Sequence, residues 1–445
     1  MTHYPKDLIP LLKKKCDSLK NIKYHEPPEL PPQSELEPLL DVAFQASLLT
    51  EEGRRSGFRI VYASKKQIEE DINKGKSAYF DNYSRIIEFD SLRVYSVAEV
   101  NRLAPAAEFT RLMICVTNNS KVKDKPKLVI WGLLDVGENW WKFVHHETSG
   151  GRCPPSYITV TSCNAGEISI SSGGDVYLSL KSGEILEPKE NPIWDGDIST
   201  FFKDAKESLY KETIKQLKKK KWDENGHDDD YPHSFYNYFL ERILFYVREK
   251  AHGGTIIFIP KAVNKTDTRL TDRALIKYPC NYNYVWDTLK CSLVNHRKYY
   301  DLHFPLWGGK KPITVDLFQV HNMLESESTE IEEGLGDMAQ AIASLTSVDG
   351  AVVLNDHFEV IGFGAEVTAI SQSLKEVSVL TGDGKQKKIS IESFGTRHRS
   401  AFRFCSTFED SVAFVVSQDG GVKAIKRVGS EVILWPDINS GGMGI

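Results

Sequence analysis

Continuous apolar runs in this chain are short. The longest clean ones, such as Thr255-Ile256-Ile257-Phe258-Ile259, have the length of one buried strand. None approaches the ~20 residues that a helix needs to cross a bilayer. Runs of this kind are buried inside sheets, and a sheet so apolar needs helices packed over it. Interleaved with segments of helical period, they predict an α/β protein.

The 445 residues are enough for two to four domains at roughly 100–200 residues each. Apolar residues make up 41% and charged residues 26%, which excludes a disordered or fibrous chain. With 56 basic against 61 acidic side chains the net charge is −5, so no global field draws in nucleic acid or an anionic membrane. Met1-Thr2-His3-Tyr4-Pro5-Lys6 has no basic head followed by an apolar stretch, and the seven cysteines are scattered without CxxC spacing. Both features point to reduced thiols and a cytoplasmic protein.

Residues 1–50 are rich in Pro, Glu and Leu, with a helix expected over Leu36–Leu49. From Phe58 to about Leu186, apolar–polar alternation punctuated by glycine marks short strands, among them Phe58–Tyr62, Leu112–Val116, Lys127–Trp131 and Tyr157–Val160. Helical spacing follows at Phe201, Ala205, Leu209, Ile214 and Leu217, ending in the lysine run 218–221 and a polar insert at 223–232. The acidic, Ser-rich stretch Glu325–Glu333 is the expected boundary between a larger α+β N-terminal region (1–325, with an internal break near 190–235) and a C-terminal module (326–445). In that module Ile331, Leu335, Met338, Ile342 and Leu345 form one helical face. Strands are expected at Ala351–Leu354, Val360–Phe363, Val377–Leu380, Ser411–Val416 and Val422–Ile425, and a helix over Arg399–Ser406.

Two segments of the module carry chemistry. In Asp349-Gly350-Ala351 a carboxylate enters a strand beside a glycine, so it can hold a divalent cation where backbone and ligand approach closely. In Gly395-Thr396-Arg397-His398-Arg399-Ser400-Ala401 two guanidiniums flank an imidazole where a loop opens a helix, a pattern suited to phosphate. Alone, the first is also a plain turn into a strand and the second a solvated basic patch. Together they supply what nucleoside-triphosphate chemistry requires.

The order of DGA strand, Ile361-Gly362-Phe363-Gly364-Ala365-Glu366, GTRHRSA helix and Ala413–Ser417 resembles the diadenylate cyclase family over about Gly334 to Trp435. The resemblance implies that two ATP-loaded domains face each other and condense two ATP into cyclic di-AMP and two pyrophosphates, as a homodimer or larger homo-oligomer. It implies Mg²⁺ or Mn²⁺ on Asp349, with Arg397, His398 and Arg399 on the triphosphate. Thr396 and Ser417 would add hydroxyl contacts, and Val367 an apolar wall for adenine. Gly350, Ala351, Gly362 and Gly364 would leave room for the ligand. The chain departs from the family at Ser406 and Gln418, where members often carry Glu; Glu409 and Asp410 are near enough to substitute. A cyclase-like fold that binds nucleotide without turnover is the alternative reading.

Trp131-Gly132-Leu133-Leu134-Asp135-Val136-Gly137 and Ala251-His252-Gly253-Gly254-Thr255 are similar to a sensor-type region attached to some bacterial diadenylate cyclases. That likeness implies an N-terminal region reading an unknown signal, or a static oligomerisation scaffold. His145-His146-Glu147 lacks the spacing of a zincin helix. The acidic insert around Asp228 reads as a solvated loop, and Gly441–Gly444 as a frayed tail.

Overall fold

The computed structural model describes residues 2–19, 27–49, 57–73, 85–119, 128–145, 156–187, 191–219, 231–307, 314–370, 374–380, 385–418, 420–436 and 438. The insert at 223–230, His146, Glu147 and Gly441–Gly444 lie outside them. The protein is α/β, with two mixed sheets. It divides into two compact units: Met1–Val144, Gly150–Lys189 and Gly442–Ile445 form one, His145–Ser149 and Glu190–Gly441 the other. Among the described residues no helix is long and apolar enough to cross a membrane.

The first unit is built on eight strands in the order Arg85–Val94, Leu128–Asp135, Leu112–Asn118, Phe58–Tyr62, Thr159–Ser162, Ile168–Ser172, Asp175–Lys181 and Glu184–Leu186. Phe58–Tyr62 runs parallel to Leu112–Asn118 and antiparallel to Thr159–Ser162. Its alternate residues Phe58 and Ile60 join a core with the helices Pro5–Leu19 and Gln33–Ser47. The second helix buries Leu36, Leu39, Leu40, Ala43 and Ala46, one stripe at 3.6-residue spacing. Val61 faces the other way, into a smaller cluster with Ile68, Trp131 and Trp140. With both faces covered, Leu128–Asp135 is buried along its whole length.

The second unit holds nine strands in the order Ala274–Tyr282, Val360–Val367, Ala351–Asn355, Gly254–Ile259, Val412–Val416, Val422–Val428, Glu431–Trp435, Glu376–Leu380 and Gln386–Ser390. Gly254–Ile259 is central and wholly buried, parallel to Ala351–Asn355 and antiparallel to Val412–Val416. Helix Thr396–Thr407 buries Ala401, Phe402, Phe404 and Cys405 against this sheet. Long helices Tyr231–Glu249, Tyr284–Trp307 and Val315–Leu345 pack on one another.

This division corrects the boundary expected at 325/326. That position falls inside the 31-residue helix Val315–Leu345, and the sheet takes two of its strands, Gly254–Ile259 and Ala274–Tyr282, from upstream of it. Most of the acidic, Ser-rich stretch is the exposed face of this helix, and two of its side chains have partners on a neighbouring helix. Asn295 on the neighbouring helix donates to Glu327 at 2.7 Å and accepts from the Ser328 hydroxyl at 2.7 Å. The units part instead at residues 189–190, at the start of the range where an internal break was expected.

Candidate functional site

Helix Val315–Leu345 ends at Thr346, whose hydroxyl donates back to the Ala343 carbonyl at 2.7 Å. The chain then turns through Asp349 and Gly350 into strand Ala351–Asn355. Gly350 has φ +115°, and a Cβ there would lie 2.6 Å from the Gly364 carbonyl carbon. Glycine is therefore required for the turn to press onto the adjacent strand, and the turn leaves Asp349 exposed.

Opposite stands the N-terminus of helix Thr396–Thr407, capped by Gly395 without a side-chain hydrogen bond. Its first-turn amides have no partners within the helix and carry the positive end of its dipole. Arg397 reaches back toward the loop before the central strand: a Cβ on Gly253 would meet its Nη1 at 2.8 Å. His398 packs beside the paired rings of Phe394 and Phe402, at centroid distances of 5.8 and 6.4 Å.

These two features open on one cleft of about 980 Å³, a volume suited to a nucleotide. Asp349, Gly350, Ala351, Val367, Thr396, Arg397, His398 and Ser417 all line it, as anticipated from sequence. Ser417 sits at the end of strand Val412–Val416, in a tight turn where its N–H donates to the Gly421 carbonyl at 2.9 Å. Thr255, Lys277, Thr346, Ser400 and Glu366 also line it, with Lys277 and Glu366 paired at 4.0 Å.

Three expected site residues lie elsewhere. Arg399 does not line the cleft; its Nη1 donates to Glu392 Oε2 at 2.8 Å. Two residues along a helix is about 200° of rotation, so Arg397 and Arg399 face nearly opposite ways. Gly362 and Gly364 make room for protein, not for ligand. A Cβ on Gly362 would lie 2.8 Å from the Tyr278 carbonyl oxygen, and one on Gly364 3.1 Å from the Tyr278 ring. Both let strands Ala274–Tyr282 and Val360–Val367 close up.

Of the departures noted in the sequence, Gln418 lines the cleft, whereas Ser406, Glu409 and Asp410 do not. The Ser406 hydroxyl donates to the Arg403 carbonyl within its own helix. The second carboxylate in the cleft is Glu366, on the strand next to the DGA strand. Thr255 was also visible in sequence, within Ala251–Thr255, but that segment had been grouped with the N-terminal region. It belongs to the second unit.

Asp349 and Glu366 offer hard oxygen donors, and the described residues contain no cluster of three or more His, Cys, Asp or Glu side chains able to cage a metal. Two oxygen donors of this kind suit a hard cation such as Mg²⁺ or Mn²⁺ better than zinc.

Residues 25–135 match the family model described as probable sensor domain DACNV. The match lies within the first unit and takes in Trp131–Asp135, one of the two segments that had suggested such a region. No curated protein and no solved structure matches the chain.

Proposed function

We propose that the second unit is a diadenylate cyclase and that the first unit, similar over residues 25–135 to a probable sensor domain, regulates it. The observation that carries the reading is the convergence of Asp349 and the Arg397-His398 helix start on one nucleotide-sized cleft. Arg397, His398 and the first-turn amides hold the triphosphate and take up charge developing on pyrophosphate. Thr396 and Ser417 position the α-phosphate by hydroxyl contacts, while Val367 shields the base.

In the reaction the 3′-oxygen of one ATP bonds to the α-phosphorus of the other as the bond to the β-phosphate oxygen breaks. Asp349, which lines the cleft, accepts the 3′-hydroxyl proton in this reading. Asp349 and Glu366 would hold Mg²⁺ or Mn²⁺, which would supply Lewis-acid stabilisation of the phosphates and a lowered hydroxyl pKa. Each cleft delivers one nucleophile and one electrophile, so two copies of the unit must face each other. The protein acts as a homo-oligomer, and a signal at the first unit sets how the clefts meet.

Gln418 favours a second reading, a nucleotide-binding sensor without turnover, because a neutral amide lines the cleft where some diadenylate cyclases carry an acid. Incubating the full chain with ATP and either Mn²⁺ or Mg²⁺, then resolving products by chromatography, separates the two. Cyclic di-AMP and pyrophosphate in a 1:2 ratio are expected. Nucleotide binding with no dinucleotide under either metal would establish the silent reading.

A further inference from the structure

Arg59 lies in the middle of strand Phe58–Tyr62, near the centre of the first sheet. Its side chain is 0% exposed, and among the described residues none gives its buried Nε, Nη1 or Nη2 a hydrogen bond. One face of the guanidinium stacks on Trp140, with Cζ 3.6 Å from the ring centroid. Trp140 is itself fully buried and is locked in place by its Nε1–H donating to the Thr110 carbonyl at 2.5 Å. Burial lowers the Arg59 pKa to about 9, so the group is still a cation at neutral pH. Among the described residues the titratable group acting on it is the Cys163 thiol, and no carboxylate does so.

Strand register puts two further donors on the same face, Thr161 directly across from Arg59 and Ser171 one strand beyond, level with Val61. Arg59 pairs with Thr161, Thr161 pairs with Ser169, and Ser171 lies two residues beyond Ser169, so period-2 alternation puts all four on one face. The buried Thr161 and Ser171 hydroxyls likewise find no hydrogen-bond partner among the described residues. Val61, two residues along the same strand, packs in the apolar cluster with Trp131 and Trp140, which keeps the surroundings weakly polarisable.

A cation sealed in such a place is costly unless an anion joins it. A ring contact offsets only part of the lost hydration and leaves the in-plane N–H groups idle. Those N–H groups form a planar fork that matches two oxygens of a carboxylate or phosphate. We propose that Arg59, with Thr161 and Ser171, forms an oxyanion-binding site in the first unit that captures a carboxylate or phosphate group of a small ligand. Such a ligand is the signal class that the sensor-like unit would read, and the site stands whether or not the second unit condenses ATP.

The test is thermal unfolding and calorimetric titration of the full chain with inorganic phosphate and, separately, with acetate, at ionic strength held constant by sodium chloride. One or both oxyanions should raise the unfolding temperature by several degrees over chloride; which one does so names the group. Because phosphate is also a ligand for the Arg397 cleft, the response must persist in Arg397→Ala and vanish in Arg59→Met. Arg59→Met should itself unfold no earlier than the wild type without added oxyanion, since it removes an unpaired buried charge at similar volume. Should that variant fail to fold, Arg59→Lys keeps the charge but not the fork, and must weaken binding roughly tenfold or more. No response to either oxyanion, a response that survives Arg59→Met, or unchanged affinity in Arg59→Lys would overturn the site.

Discussion

The Arg397 guanidinium packs so closely over Gly253 that a methyl group on the glycine would sit 2.8 Å from Nη1. The same methyl would lie 2.8 Å from the Val416 carbonyl oxygen, and Gly253 has φ +71°. Gly253→Ala should therefore displace Arg397 and cost about 1–3 kcal/mol of stability through backbone strain. ATP-analogue titration should show affinity reduced at least several-fold. In an Arg397→Ala background the same change should cost binding almost nothing further, because the two act through one guanidinium.

Asp349→Asn removes a charge but little volume from the cleft. Turnover should fall by roughly a hundredfold or more, while ATP affinity changes much less. Glu366→Gln should leave the rate at saturating metal nearly intact and raise the Mn²⁺ concentration needed for half-maximal pyrophosphate release. Normal turnover in Asp349→Asn would remove this residue from the chemistry.

The two arginines of the RHR triplet should separate. Arg397→Ala loses a contact inside the cleft and should weaken nucleotide binding by about 2–4 kcal/mol. Arg399 pairs with Glu392 on a face away from the cleft, with the two side chains 32% and 69% exposed, and its loss should cost under ~1 kcal/mol of anything measured. Equal losses of affinity in the two variants would contradict the placement of Arg399.

Acid should loosen the helical part of the second unit through His296. Burial, with a smaller push from Arg297, lowers its pKa from 6.5 to about 4. The unfolded chain then takes up a proton near pH 6.5, while the folded chain does so only near pH 4. Stability is complete above about 6.5 and falls as the pH drops toward 4, by on the order of 3 kcal/mol. Urea unfolding at pH 7.5 and 4.5 should show this loss, and His296→Gln should flatten it.

Much of the second unit was legible as local pattern. The apolar run at Ala351–Leu354 and the alternation near Val422–Ile425 are strands within a residue or a few of where they were expected, and the RHR segment opens a helix. What local pattern could not carry is which run pairs with which. Thr255–Ile259 reads as a buried strand, but nothing in its own letters says that it parts the two strands ending at Asn355 and Val416. Polar Glu325–Glu333 reads as a domain boundary in sequence, and Asn295, the partner of Glu327 and Ser328 that ties the stretch to a neighbouring helix, is distant in the chain. Arg59 escaped notice for a related reason: alternation puts it on the face opposite Phe58 and Ile60, and only the fold brings Trp140 over that face.

The central position of Gly254–Ile259 also bears on synthesis. This strand leaves the ribosome before either of its sheet neighbours, and at roughly 5–20 residues per second it waits on the order of 10–30 s for the second of them, Val412–Val416. An unpaired Thr-Ile-Ile-Phe-Ile segment is prone to join another chain in that interval. Phe202, made earlier, rests edge-on against Phe258 at 5.2 Å between ring centroids, so upstream helices are available as a temporary cover. A nascent chain halted before residue 351 would keep that cover and still present two bare strand edges.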